Sequence, residues 1–205
     1  MQIQTNHTSC LKKIHIWDLR DWKEVPSVDL LDPLSPVVLK SKFTAQKIKE
    51  SKTFDILAMT SGYDIYNRCD PPLDKCSVYV ADDRIPIGGS IVKSRIISVD
   101  TSDILIYGEF DIRITRTYWN AFQNEDQSWI GTTVRQPVYK VSLIIMLPDK
   151  KLFDDYILYV SEIGKNKQFP YSGDKIVISD KNGKYIHWKI IRPRPGHVYY
   201  IDWDW

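Results

Sequence analysis

The sequence predicts a mainly β protein, an antiparallel β-sandwich or jelly-roll-like barrel with one short helix near residues 43–60. Three observations lead there. Apolar and polar residues alternate with period two in "QPVYKVSLIIMLP", "DILIYGEFDIRITRTYW" and "HVYYIDWDW", the signature of half-buried strands. Turn signals such as Asn182-Gly183 and Gly88-Gly89 separate short runs. The chain also carries 12 Tyr and 7 Trp, which lift its aromatic content to 12%; such residues favour strands and, when one end stays wet, interfaces.

The 205 residues fit a single β-rich domain, 1–205, with 20–75 expected as a loop and short-helix insertion or N-terminal extension packed on it. Hydrophobic residues make up 43% and charged ones 26%, enough to bury a core without staples. The net charge of +2 is spread without any long run of one sign, so no polyanion-binding arm or acidic tail is expected. "MQIQTNHTSCLKK" lacks an apolar core for secretion, and no apolar stretch approaches the roughly 20 residues of a membrane helix. The expected location is therefore intracellular, including within a virion or particle, and the sequon at Asn6 is read as accidental. Cys10, Cys69 and Cys76 are dispersed and odd in number, which favours reduced thiols; a Cys69–Cys76 bridge stays open.

In chain order, "LKKIHIWDL" is the first strand, with Leu11, Trp17 and Leu19 on one face. Pro26, Pro33 and Pro36 make the next stretch an extended surface connection. Ala45, Ile48 and Leu57 fit a helical stripe over residues 43–60, closed by Gly62, and "NRCDPPLDK" is a loop. "CSVYVAD" and "IVKSRIISV" are strands separated by "RIPIGGS". Ile104, Ile106, Phe110, Ile112 and Ile114 share one face of a long strand, with Gly108 a bulge or bend. Tyr139, Val141, Leu143, Ile145 and Leu147 share another strand face, and "FDDYILYVSEI" is read as a strand. Asn182-Gly183 suits a type I′ turn, which sets Val177 opposite Trp188, Ser179 opposite Ile186 and His187 opposite Ile178. "RPRPGH" then turns the chain into the last strand, "VYYIDWDW".

Chemistry is harder to find. Asp202 and Asp204 share a strand face, about 7 Å apart by strand geometry. Such a pair could serve glycoside hydrolysis or a divalent cation, but the plainer reading is the wet face of an edge strand. His187 and His197 could join those aspartates as a hydrolase's base and orienting acid, yet no nucleophile elbow accompanies them. His7 and His15 stand isolated, Cys69 and Cys76 lack zinc spacing, and "IPIGGSIVKS" lacks phosphate-loop spacing. Lys189, Arg192 and Arg194 among aromatics could hold a single-stranded nucleic acid, but the weak overall charge disfavours it.

No catalytic residue, metal or cofactor is therefore expected. The expected function is non-enzymatic: a self-assembling or structural subunit of a viral particle, inclusion or multi-protein complex. Its partners would be other protein chains, foremost copies of itself. Trp188, His197, Tyr200, Trp203 and Trp205 are the candidate interface residues. A monomeric carbohydrate- or peptide-binding module is the first alternative, and a hydrolase using the C-terminal His and Asp residues the second.

Overall fold

The computed structural model describes residues 2–4, 8–26, 34–50, 52–60, 64–70, 76–87, 90–123, 128–165, 167–173, 176–179 and 184–205. For 2–4, 8, 53–55, 57–60, 64–70, 76–87, 90–97 and 176–179 the description is of the backbone alone. The first strands are β1 (Gln2–Gln4), β2 (Thr8–Asp18), β3 (Pro36–Lys47), β4 (Thr53–Thr60), β5 (Asp64–Asp70), β6 (Cys76–Ile87), β7 (Ser90–Asp100) and β8 (Glu109–Trp119). They are followed by β9 (Trp129–Val134), β10 (Val138–Met146), β11 (Asp155–Glu162), β12 (Gln168–Pro170), β13 (Ile176–Ser179), β14 (Tyr185–Ile191) and β15 (His197–Asp204). No helix occurs among the described residues, and so none is long and apolar enough to cross a membrane.

The strands form three sheets, ordered β1-β4-β7-β6, β13-β14-β10-β2-β3-β8-β5 and β12-β11-β15-β9. Pairing is antiparallel throughout except between β10 and β2, which run parallel. The seven-stranded and the smaller β12-to-β9 sheet pack face to face as a sandwich. From the larger sheet come Val141, Leu143, Ile145, Ile186, Trp188, Phe43, Ile112 and Ile114; from the smaller, Ile130, Leu158, Tyr199, Ile201 and Trp203. Trp188 and Tyr199 meet across the gap, ring centroids 6.1 Å apart. A second bridge is polar: Lys13 Nζ of β2 donates to the Thr133 carbonyl of β9 at 3.0 Å.

The C-terminal hairpin has the expected register, with Val177 opposite Trp188, Ile178 opposite His187 and Ser179 opposite Ile186; its turn, 182–183, lies outside the described residues. Residues 43–60 are a correction. The described residues among them are not helical but form the end of β3 and all of β4. The three-residue spacing of Ala45 and Ile48 suggested a helix, whereas burial in β3 follows period two through Val37, Leu39, Ser41, Phe43, Ala45 and Lys47. Two of those inward positions are polar, which hides the alternation from a hydrophobicity reading. Because β3 lies between β2 and β8, long-range ladders on both edges override any local helical preference. Much of 20–75 is therefore strand, in β3, β4 and β5.

Three smaller differences have local causes. A bulge between Cys10 and Lys12 sets Cys10 and Lys13 opposite the inward Ala45 and Phe43, so Leu11 is the inserted residue and leaves Trp17's face. β6 continues through Pro86 because it is the edge strand of its sheet, where a missing N–H breaks no ladder. Finally, the strand expected from residue 103 begins only at Glu109. Its partner β3 ends at Lys47, and the chain turns instead, with Lys47 N–H donating to the Gly108 carbonyl at 3.0 Å. Gly108 is the expected bend: a Cβ there would lie 2.8 Å from the Leu105 carbonyl oxygen. Leu105 and Tyr107 are left pointing into solvent.

Candidate functional site

The C-terminal strand is the natural place to build a site, since most candidate residues lie on it or beside it. β15 is not an edge strand, as the sequence reading supposed; it runs between β11 and β9. Its inward residues Tyr199, Ile201 and Trp203 are buried. Trp203 contacts Phe122 at 5.5 Å, Phe153 at 6.2 Å and Trp205 at 6.0 Å between ring centroids. Trp205 is half-buried against Trp22 at 4.6 Å, with the Lys151 ammonium over its ring at 5.4 Å. Trp188, 0% exposed, and Trp203, 1% exposed, are core residues of this chain and have no surface to offer a partner. His197 is half-buried at the far end of the strand, its Nδ1 3.0 Å from the Pro195 carbonyl.

The outward residues of β15 are Val198, Tyr200, Asp202 and Asp204, and they share a face with neighbours on both sides. Asp204 sits opposite Asp155, Asp202 opposite Ile157, and Tyr200 opposite Tyr159. On the other edge Asp202 sits opposite Trp129 and Tyr200 opposite Gly131. Gly131 allows a close approach there, since a Cβ would lie 3.0 Å from that of Tyr200. Tyr200 stacks on Tyr159 at 5.3 Å and takes the edge of Trp129 at 6.3 Å. Trp129, 54% exposed, and Ile157, 45% exposed, complete an apolar strip. At its end, Asp155, Asp202 and Asp204 line a shallow depression of about 100 Å³.

Electrostatics fit this picture. Burial, and then the Asp202 and Tyr159 neighbours, pushes the Tyr200 phenol up to about 12. Burial and the adjacent Asp204 raise the Asp202 carboxyl above its ordinary value. Since the unfolded chain ionises Asp202 at lower pH, the fold bears the whole penalty above the raised value, and it is relieved as pH falls through that value. Asp202→Asn is therefore expected to raise stability at pH 7, by no more than about 0.5 kcal/mol because solvent screens the site. Melting curves at neutral pH and below the free carboxyl's pKa check this; the difference should close in acid.

The histidines do not join the aspartates. His197 lies five residues from Asp202 along β15, roughly 16 Å at strand rise. His187 is on β14 of the other sheet, paired with Ile144 and Ile178. Among the described residues no group of three or more His, Cys, Asp or Glu side chains is placed to hold a metal ion. The side chains of Cys69 and Cys76 lie outside the description.

Two features escaped the sequence reading. One is a polar row inside the sandwich, where His15 Nδ1 and Ser41 Oγ are 2.8 Å apart and Lys13 and Arg116 are also buried. Burial, then the charges of Lys13 and Arg116, push His15 well below its usual value, so it stays neutral. Period two was legible there, but inward-facing lysine and arginine run against the usual pattern. The other is a groove at the corner "RPRPG", whose arginines the sequence offered only for a single-stranded nucleic acid: Arg192, Arg194 and Tyr139 line about 510 Å³ with Pro137, Pro193 and Pro195. Arg192 lies 5.9 Å from the Tyr139 ring centre.

No protein-family model and no curated protein matches the chain. Solved structures do. A protein from Parabacteroides distasonis described as a candidate protease superposes with a TM-score of 0.50 at 10% identity, over 97% of this chain and 41% of that one. Yeast LTA4 hydrolase in complex with bestatin superposes with a TM-score of 0.50 at 13% identity, over 98% of this chain and 29% of that one. At such identity the likeness concerns the fold alone, and the chain spans less than half of each of those proteins.

Proposed function

We propose that this chain is a non-catalytic β-sandwich subunit that acts through protein–protein contacts, foremost with copies of itself. The observation that carries the reading is the open outer face of the smaller sheet, where Trp129 and Ile157 stay exposed beside the Tyr159–Tyr200 stack. Exposed aromatic strips rimmed by charge are the usual character of an interaction surface.

Light scattering over a concentration series tests this. The expected mass is a multiple of 24.0 kDa; a particle that holds the single-chain mass at the highest concentration reached overturns the reading. Trp129→Ala is expected to weaken association about tenfold or more, as truncation of an interface aromatic does, while leaving the melting temperature nearly unchanged because the ring is half in water.

A second reading, a carbohydrate- or peptide-binding module, is favoured by the groove at Tyr139, Arg192 and Arg194, whose volume of about 510 Å³ suits a small ligand. Calorimetric titration with oligosaccharides and short peptides, repeated with Tyr139→Ala, separates it from the first.

A further inference from the structure

The seven-stranded sheet also has an outer face, and its charge is opposite to that of the smaller sheet. Lys12 of β2 and Lys140 of β10 are register partners, roughly 5 Å apart by strand spacing. Lys189 of β14 lies one register step away, opposite Ser142. Strand alternation puts Lys140, Lys189 and His187 on this same side of the sheet. Lys40 and Lys42 on the same face have acidic neighbours, Asp18 at 3.8 Å and Asp111 at 2.7 Å. No ion pair among the described residues involves Lys12, Lys140 or Lys189. Like charges held directly opposite each other destabilise a sheet, so this arrangement is costly in the isolated chain. Beside the lysines, around Ser142, Ile14 and Ile144 are only half-buried.

The acidic end of the smaller sheet matches it. Asp155 and Asp204 are direct cross-strand partners, roughly 5 Å apart, and Asp202 lies about 7 Å from Asp204 along the strand. Next to them the Tyr200 phenol, 7% exposed, has no hydrogen-bond partner among the described residues, although its neighbours include Asp202. Acids and aromatics on one side and cations and aliphatics on the other are opposite in sign, and each face holds one directly opposed like-charged pair, Asp155–Asp204 or Lys12–Lys140.

We infer that the two outer faces bind each other between copies: the Asp155–Asp202–Asp204 depression of one chain receives the Lys12–Lys140–Lys189 field of the next, with Trp129 and Ile157 against the isoleucines. The inference rests on the assembly reading above and deepens it. The two faces lie on opposite sides of the sandwich, so they cannot meet within one chain. The contact is head-to-tail and must close into a ring or continue as a filament.

The test uses the full chain, by light scattering and sedimentation. Wild-type association is expected to weaken about tenfold or more between roughly 50 and 500 mM NaCl, because the screening length falls severalfold. The combined change Asp155→Lys, Asp202→Lys, Asp204→Lys is expected to give monomers, as is Lys12→Asp, Lys140→Asp, Lys189→Asp. An equimolar mixture of the two is expected to form salt-sensitive complexes again, because each supplies one native face. The Asn and Gln counterparts of these triple changes serve where a reversal unfolds the chain. Association that does not weaken with salt, or a folded face variant that assembles like the wild type, overturns the inference while leaving the assembly reading standing. A wild type that stays monomeric at low salt overturns both.

Discussion

Trp203→Ala is expected to lower stability by about 3–5 kcal/mol, the range for removing a large buried aromatic. For a chain of this size that is a fall in melting temperature of roughly 6–20 °C. The reason is position as much as size. Trp203 is 1% exposed and packs against Phe122 and Phe153, at the point where the connection after β8, the segment before β11 and the last strand converge. Phe122 in turn meets Trp17 at 5.8 Å, and Trp17 stacks on Tyr118 at 5.2 Å, so a cavity at Trp203 loosens a run of rings across both sheets. Trp203→Phe is expected to be much milder. Its indole N–H has no acceptor among the described residues, and removing that donor recovers part of the lost packing. Trp205→Ala, at a half-buried ring, should cost about 1 kcal/mol. Thermal melts of the three variants check the order. A Trp203→Ala protein that melts like the wild type would show that the tail is not part of the core.

The second large effect concerns Lys13. It faces into the sandwich between Phe43 and Val141 and is 3% exposed. Burial, only partly offset by Cys10, lowers its pKa from 10.5 to about 8, a penalty of about 3 kcal/mol on the charged form. Lys13→Met keeps the length and removes the charge. After the loss of the 3.0 Å bond to the Thr133 carbonyl, a net gain of about 1–2 kcal/mol at pH 7 is expected.

The pH profile identifies the cause. Between about 8 and 10.5 the unfolded chain holds a proton on Lys13 that the fold has shed, so Lys13 adds a term that rises with pH, by about 1 kcal/mol from pH 8 to 9. From about pH 8.5, where a free thiol ionises, this term is opposed. Burial pushes the Cys10 thiol up to about 11, so the unfolded chain ionises first and stability falls. Lys13→Met should lack the rise from pH 8 to 9. A wild type and a methionine variant with the same pH dependence over that interval, or a methionine variant less stable than the wild type at pH 7, would refute the account.

Much of the fold was legible, and the particular elements show why. The hairpin register followed from Asn182-Gly183 and the alternation on either side of it, because a two-residue turn and a period of two leave one solution. The inward set Tyr199, Ile201 and Trp203 followed from the same period. Residues 43–60 misled because inward Ser41 and Lys47 broke the apolar pattern of β3. Of the candidate interface residues, Trp188 and Trp203 were marked by residue type, and type does not say which side of a sheet faces its neighbour. Trp129 and Ile157, on the open face, carried no distinguishing local signal.

By itself the sequence determined the class of object: strands with period two, their turns, and a last strand with its indoles on one side and its acids on the other. Only the tertiary structure decided that β3 lies between β2 and β8, that β10 runs parallel to β2, and that β15 is central. The same packing placed Lys13 and His15 inside and set the aspartates and lysines on opposite outer faces. The division has a physical reason. Alternation and turn chemistry act over a few residues and are written in order along the chain, whereas strand neighbours and buried faces are chosen by contacts between segments far apart in sequence.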